Sequence, residues 1–361
     1  MAERSALSAA RRRVRELSYT GLDSIELRLA TLRELARVVP VDAAFFPTAD
    51  PTTLLYTSAV RTGMPDGLTV RFLDNEFNTP DVNKFRSLAR AGTTVATLDA
   101  ATRGDRSTSQ RSRQLMQPIG LGDELRVVFQ TGNRTWGFAC LHRTLGRSFG
   151  DEEIEWVRSV VPDIAEGLRR SVMAERALNN VADGAPGIVT LAPDLTVLAT
   201  TPAAEMWLDD LAATERPRSQ PVPVAVLAVV QALSEVPDGP AVPRLTVRSR
   251  SGRWLVLHAS RLHCADGASQ IAVVIEPASR AELEPVIASG FSLTPREAAI
   301  MTLVLRGMPS KSIANSLRIT VNTVNDHIKS IFAKTGVNSR GQLMATVFRE
   351  QIAPHGRAVR N

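Results

Sequence analysis

Cysteine is almost missing from this chain of 361 residues, which holds only Cys140 and Cys264. Two are too few for a disulfide framework or a four-cysteine zinc site, and they fit a reducing compartment. Histidine is scarce as well, at positions 142, 258, 263, 327 and 355. These lie apart from any Ser/His/Asp or paired-carboxylate constellation, so no enzyme is expected. No apolar run approaches the roughly 18 residues of a membrane span; the longest, 222–230, is interrupted by Pro223. Phosphate-cradling Gly-x-x-x-x-Gly-Lys-Ser/Thr and dinucleotide Gly-x-Gly-x-x-Gly loops are both lacking. The first residues carry Arg11, Arg12, Arg13 and Arg15 with no apolar segment behind them. No signal peptide and a cytoplasmic location are therefore expected.

What is present is ordinary globular composition, 44% apolar and 22% charged, in a chain long enough for two or three domains. Charge is unevenly placed. Of 43 Lys and Arg, 11 lie in 279–361, against 5 of the 37 Asp and Glu. Residues 1–278 are thus balanced and the whole net charge of +6 sits at the C-terminal end. A neutral body carrying a basic module points to a polyanionic partner, although a basic solubility tail has the same signature.

Residues 6–38 read as helix, with Ile25, Leu29, Leu32 and Ala36 at 3 to 4 spacing. Short strands are expected at 42–46 and 53–60. A hairpin is expected from 124–130 and 135–142 around Thr-Gly-Asn-Arg. A long helix over 151–176 carries Ile154, Val157, Val161, Ile164, Leu168 and Val172 on one face. Together these give an α+β domain over 22–175 behind an N-terminal helix over 1–21. A second such unit spans 183–278. Its strands are expected at 188–191, 196–199, 245–248, 254–260 and 270–275, its helices at 202–208 and 224–235, and a proline-rich loop at 212–223.

The C-terminal signals are tighter. Thr294, Pro295 and Glu297 supply an N-cap hydroxyl, a proline at the first helical position and a capping-box carboxylate. The helix they open runs through Ile300, Leu303 and Val304 to Gly307. A short helix near Lys311 buries Ile313, Ala314 and Leu317. Thr320 caps a third helix that carries Val324, Ile328, Ile331 and Phe332 inward and ends at Gly336. Ser339 and Gln342 open a fourth. A short helix, a tight turn and a longer helix form a helix-turn-helix, whose second member enters a major groove. On its outer face Val321, Asn322, Asn325, Asp326 and Lys329 are the candidate base readers, with Ser330 beside them. Lys311, Thr323, Lys334 and Arg340 are the candidate phosphate neighbours, two of them at helix N-termini. His327, three residues past Val324, is expected to pack or bond internally.

Residues 293–347 resemble the DNA-binding domain of the LuxR family, also called the GerE or NarL type. The resemblance rests on Leu293, Thr294, Pro295, Glu297, Gly307, Lys311, Ile313, Ala314, Thr323, Val324, His327, Ile331, Phe332, Lys334, Gly336, Val337, Ser339 and Arg340. It implies a four-helix domain, here bounded at 291–350 before a tail at 351–361, whose third helix reads DNA and whose fourth often mediates dimers. It also implies double-stranded DNA as partner and a role in transcription regulation, with RNA polymerase a further candidate partner. Departures are Asn325 in place of the family's lysine, Pro309 in place of a serine cap, Ser312 in place of a glutamate and Thr335 in place of a core leucine. They suggest a less stable second turn and a reading helix short of one positive charge.

Residues 22–175 resemble a GAF domain through Trp136 and Gly137 in the hairpin and the Arg147-Ser-Phe-Gly-Asp-Glu-Glu153 helix start. Residues 183–278 resemble a PAS domain through the Asp194 turn and Thr201-Pro-Ala-Ala-Glu205, with Thr201 where that family has asparagine. The expected architecture is therefore multidomain α+β: two α/β sensory domains, a linker at 279–290 and an all-α helix-turn-helix domain. These resemblances imply a small-molecule effector, which no residue identifies. No cofactor or metal is expected; Cys140 and His142 share a strand face, and packing is the commoner role for such residues. Trp136, Phe138, Phe129 and Trp254 are expected in cores or dimer surfaces. Homodimerisation is expected because one recognition helix covers few base pairs. The helices at 6–38 and 151–176 could form its spine, or the stripe of the latter could lie wholly on its own sheet. The competing function is a signalling scaffold whose helical module binds DNA weakly and without specificity.

Overall fold

The computed structural model describes residues 2–65, 67–173, 184–215, 222–236, 242–263 and 269–348. Its first part runs α1 (Ala2–Tyr19), α2 (Ser24–Ala36), β1 (Ala43–Ala49), β2 (Tyr56–Thr62), α3 (Leu68–Asn78), α4 (Phe85–Ala91), β3 (Val95–Thr97), α5 (Leu98–Ala101), β4 (Leu121–Thr131), β5 (Arg134–Thr144) and α6 (Asp151–Met173). The helix expected over 6–38 is two helices. Gly21 takes φ +76°, and the Asp23 carboxylate accepts the Ile25 and Glu26 N–H groups at 2.9 Å, starting α2 afresh.

The strands form an antiparallel sheet of order β2-β1-β5-β4-β3. Alternation along each strand sorts its side chains between two cores. Ala44, Phe46, Val127, Phe129 and Leu141 join one core with α1, α2 and α6. Phe45, Val128, Phe138 and Cys140 belong to the other. The stripe of α6, Val157, Val161, Ile164 and Leu168, is buried in the first core together with Ala10 and Val14 of α1. It lies on its own domain and is not free to serve as a dimer spine.

The second part contains β6 (Gly187–Leu191), β7 (Val197–Thr200), α7 (Pro202–Ala212), α8 (Val224–Gln231), β8 (Arg244–Arg248), β9 (Trp254–His263) and β10 (Ser269–Pro277). Its sheet order, β7-β6-β10-β9-β8, repeats the relative order of the first. The hydroxyl of Thr201 accepts the Ala204 N–H at 3.3 Å and so caps α7, the task an asparagine would perform there. The helix expected over 224–235 is α8 followed by a single 3₁₀ turn at 232–235. Every residue from Val224 to Val230 is buried, and a helix apolar all round needs cover on every side. That cover comes from both sheets. One continuous core joins α8 to Phe45, Tyr56 and Phe138 on one side and to Val189, Leu257 and Ile275 on the other. The two sheet units, separate in the sequence reading, are thus fused through α8.

The chain ends in α9 (Arg280–Gly290), α10 (Pro295–Leu305), α11 (Ser310–Leu317), α12 (Val321–Thr335) and α13 (Arg340–Phe348). The stretch 279–290 is this helix α9 rather than an open linker. A capping box between Ser279 and Glu282 starts it, and Pro285 is carried inside it. Its Leu283, Val286 and Ile287 share a core with Trp254 and Val256 of β9 and with Ile300, Val304 and Val324 of the helices beyond. The tail at 351–361 lies outside the described residues. Among those residues no helix is long and apolar enough to cross a membrane.

Candidate nucleic-acid interface

The C-terminal helices are held around Glu297. This residue is buried, and its carboxylate accepts the Thr294 N–H at 2.8 Å, closing the capping box of α10. The same carboxylate accepts the Ser330 hydroxyl and the Lys334 ammonium of α12, both at 2.6 Å. Burial alone would push the Glu297 carboxyl upward, but the bonds from Lys334, Ser330 and Thr294 outweigh it and bring its pKa down to about 2. One carboxylate therefore caps α10 and fixes α12 against it. Ile300, Val304, Ile313, Ala314, Val324, Ile328 and Ile331 fill the space between the helices, with Leu293, Val337 and Leu343 closing its ends.

The turn between α11 and α12 is tight. Arg318 ends α11 in the left-handed region at φ 54°, the Ile319 N–H bonds the Ala314 carbonyl at 3.0 Å, and the Thr320 hydroxyl accepts the Thr323 N–H at 3.1 Å to open α12. Gly307, at φ +78°, follows α10; Gly336, at φ +70°, caps α12 and donates its N–H to Phe332. Pro309 caps α11 without a side-chain bond, while the buried Thr335 satisfies its hydroxyl on the Ile331 carbonyl at 2.8 Å.

This scaffold turns Val321, Asn322, Asn325, Asp326 and Lys329 outward; all five are exposed, and His327 is half-buried. Lys311 is exposed at the start of α11, and Thr323 is half-buried in the first turn of α12. Two candidates are engaged internally. Lys334 holds the ion pair with Glu297, and Arg340 donates to the Met308 carbonyl and the Ser310 hydroxyl, both at 2.8 Å. Lys329 stands 3.8 Å from Asp326 on the open surface. Sequence reasoning missed Ser310, which also donates to Asn325 Oδ1 at 2.9 Å and so couples α11, α12 and α13. Its only signal was its place after Pro309 at a helix start. Arg318 was missed too; it is exposed in the turn itself.

Residues 291–347 match the family described as "Bacterial regulatory proteins, luxR family". The chain is also similar over a short stretch to curated relatives. The chain is 42% identical over 60 residues to the nitrate/nitrite response regulator protein NarL of Escherichia coli strain K12, covering 17% of this chain and 28% of that one. It is 41% identical over 51 residues to the response regulator Rre1 of Synechocystis sp., covering 14% and 22%. The chain thus spans about a quarter of the length of these relatives. The C-terminal domain is a LuxR-type helix-turn-helix domain, preceded by two mixed α/β sheet units. Among solved structures, the GAF domain of an Acinetobacter phosphoenolpyruvate-protein phosphotransferase covers 46% of the chain and 94% of its own, at 9% identity and a TM-score of 0.34. Escherichia coli SdiA covers 95% and 97% at 12% identity and a TM-score of 0.34. Both scores fall below the level of a shared fold.

Elsewhere, two clusters of potential metal ligands occur among the described residues: Glu124, Cys140 and His142, and His258, Glu276 and Glu282. In the first, register pairs Glu124 with His142 and Arg126 with Cys140, which brings the Glu124, Cys140 and His142 ligand atoms within 4.8 Å of one another. Yet Glu124 Oε2 already accepts Arg111 at 2.7 Å and Arg126 at 3.0 Å, two guanidiniums that oppose a cation. Burial pushes the Cys140 thiol well up and lowers His142 to about 4, so both are neutral. This donor set reads as a buried ion-pair network. Cys264 lies outside the described residues. Trp136, Phe129, Phe138 and Trp254 are all buried in cores.

Proposed function

We propose that the protein is a sequence-specific DNA-binding transcription regulator that responds to a signal sensed by its front domains. The observation that carries this reading is the two-sided character of α12. One side is pinned by Glu297 and the core, and the other offers Val321, Asn322, Asn325, Asp326 and Lys329 to a groove that admits one helix. Lys311, Thr323, Lys334 and Arg340 are assigned to the flanking phosphates. The domain bounds are those read from the sequence: a GAF-like domain over 22–175, a PAS-like domain over 183–278 and the helix-turn-helix domain over 291–350. Two antiparallel five-stranded sheets with the same relative order support this pairing of sensory domains.

The expected partners are double-stranded DNA, RNA polymerase, a small-molecule effector and a second copy of the chain. With the stripe of α6 buried, the dimer contact falls to α13, where Met344 is exposed. Sedimentation should then give a dimeric full chain and a monomeric 1–278 fragment. The central test is binding to promoter fragments with and without random competitor duplex; equal affinity for both would overturn the regulator. The scaffold reading draws on one observation, that Lys334, Lys329 and Asn325 already have protein partners, and equal affinity would favour it.

A further inference from the structure

Between the two sheets and α9 lies a cavity of about 760 Å³. It is bounded by the α1–α2 turn, the β1–β2 edge, the end of α6, the β8–β9 hairpin and Val286 of α9. It belongs to neither sensory domain alone. Three guanidiniums, Arg28, Arg248 and Arg250, line it against two carboxylates, Asp23 and Asp50. Asp23 is paired with Arg250 at 2.6 Å, and Asp50 accepts the Thr246 N–H at 3.0 Å and both the N–H and the hydroxyl of Thr52.

Among the described residues the other two guanidiniums have no bonded carboxylate. Arg28 is fully buried behind the wall and donates only to neutral oxygens: the carbonyls of Ser24, Phe46 and Ser58 and the Ser58 hydroxyl. Burial lowers its pKa to about 9, with Glu215 and Asp23 raising it from a distance. Arg248 is half-buried; it donates to the Ser171 carbonyl at 3.4 Å, and its Nε has no partner among the described residues. Nε1 of the buried Trp254 is likewise without a partner among the described residues, and Trp254 is part of the lining. A guanidinium without a bonded carboxylate is costly under cover, and an anion in the cavity would relieve it.

We infer that this cavity binds a small anionic metabolite bearing a carboxylate or phosphate group, with Arg248 as its direct partner and Arg28 supplying field from behind. The inference deepens the regulator reading by locating its effector. Trp254 lines the cavity and also packs in the core that contains Leu283, Val286 and Ile300, so an occupant bears directly on the helix leading to the DNA-binding domain. Arg169, which donates to the Gly290 carbonyl, ties α6 to the end of the same helix.

The test titrates orthophosphate and citrate, separately and at constant ionic strength, into the full chain while following tryptophan fluorescence, with target-DNA affinity measured on the same samples. The expected result is saturable binding of at least one probe, weakened about tenfold by Arg248→Gln and less by Arg248→Lys, with Trp254→Phe reducing the signal. Arg158→Gln, at an exposed helix position, should bind like the parent. The two probe arms separate phosphate from carboxylate. Binding of neither probe, or equal binding by parent and both Arg248 variants, overturns the inference. Anion binding without specific DNA binding would instead leave the site standing and remove the regulator.

Discussion

Replacing Glu297 with glutamine tests whether one carboxylate sets the position of the reading helix. The substitution keeps the shape but removes the charge that pairs with Lys334 and accepts the Ser330 hydroxyl. The fall in pKa from 4.5 to about 2 corresponds to roughly 3 kcal/mol of stability at neutral pH. The Lys334 side chain is 34% exposed, so solvent screens the pair and about 2 kcal/mol is the realistic loss. Because a multidomain chain does not unfold in one step, the effect is best read locally, by hydrogen exchange of peptides covering 295–335 in the full protein. About 2 kcal/mol means roughly 30-fold faster exchange in α10 and α12, with the first sheet unchanged. The sign with pH follows from the depressed value: the stabilisation is complete above 4.5 and is lost as pH falls through about 2, so parent and variant converge in acid. Unchanged protection at neutral pH, or a difference constant down to pH of about 2, would refute the anchoring role.

Asn325→Ala should erode discrimination between target and random DNA by about 1–3 kcal/mol, provided its Oδ1, now shared with Ser310, turns to a base; a parallel loss on both duplexes would count against base reading. Lys334→Ala should weaken target and random DNA alike, and should also lower protection in α10 because it strands Glu297; specificity lost without destabilisation would contradict this. Lys311→Ala should reduce the log–log salt slope of DNA binding by about 0.9, and an unchanged slope would exclude a phosphate contact. Glu124→Ala leaves Arg111 without its closest carboxylate, in a fully buried site. A local loss of about 3–5 kcal/mol is expected, measured as faster hydrogen exchange of peptides covering 121–144, and parent-like protection there would show that Glu76 and Asp81 suffice.

Much of the molecule was legible because its signals are local. The capping pattern of Thr294, Glu297 and Thr320, the periodic apolar residues and the terminal Gly336 each act within a few residues, so the elements of the helix-turn-helix fell close to their expected places. The hairpin of β4 and β5 was equally readable, since two alternating strands around a turn declare their own pairing. Helix ends were harder. The break at Gly21 lies inside a continuous amphipathic pattern, and only the Asp23 cap explains why α2 starts anew. The capping box at Ser279 was as local as the one at Thr294, but Pro285 masked the helix it opens.

By itself the chain determined which residues alternate, where helices start and stop, and that its positive charge gathers at the C-terminal end. Tertiary structure alone decided what those elements cover. Nothing in 224–230 says which two surfaces will bury an all-apolar helix, and the answer joined two domains into one core. Likewise Glu297 reads as a helix cap in sequence, while its grip on Ser330 and Lys334 depends on two helices meeting 33 and 37 residues apart. Arg28 and Arg248, unremarkable in the chain, line one cavity only after α2, both sheets and α9 have packed. Long-range contacts of this kind depend on which faces are left over once local structure is satisfied, and that remainder is settled by packing.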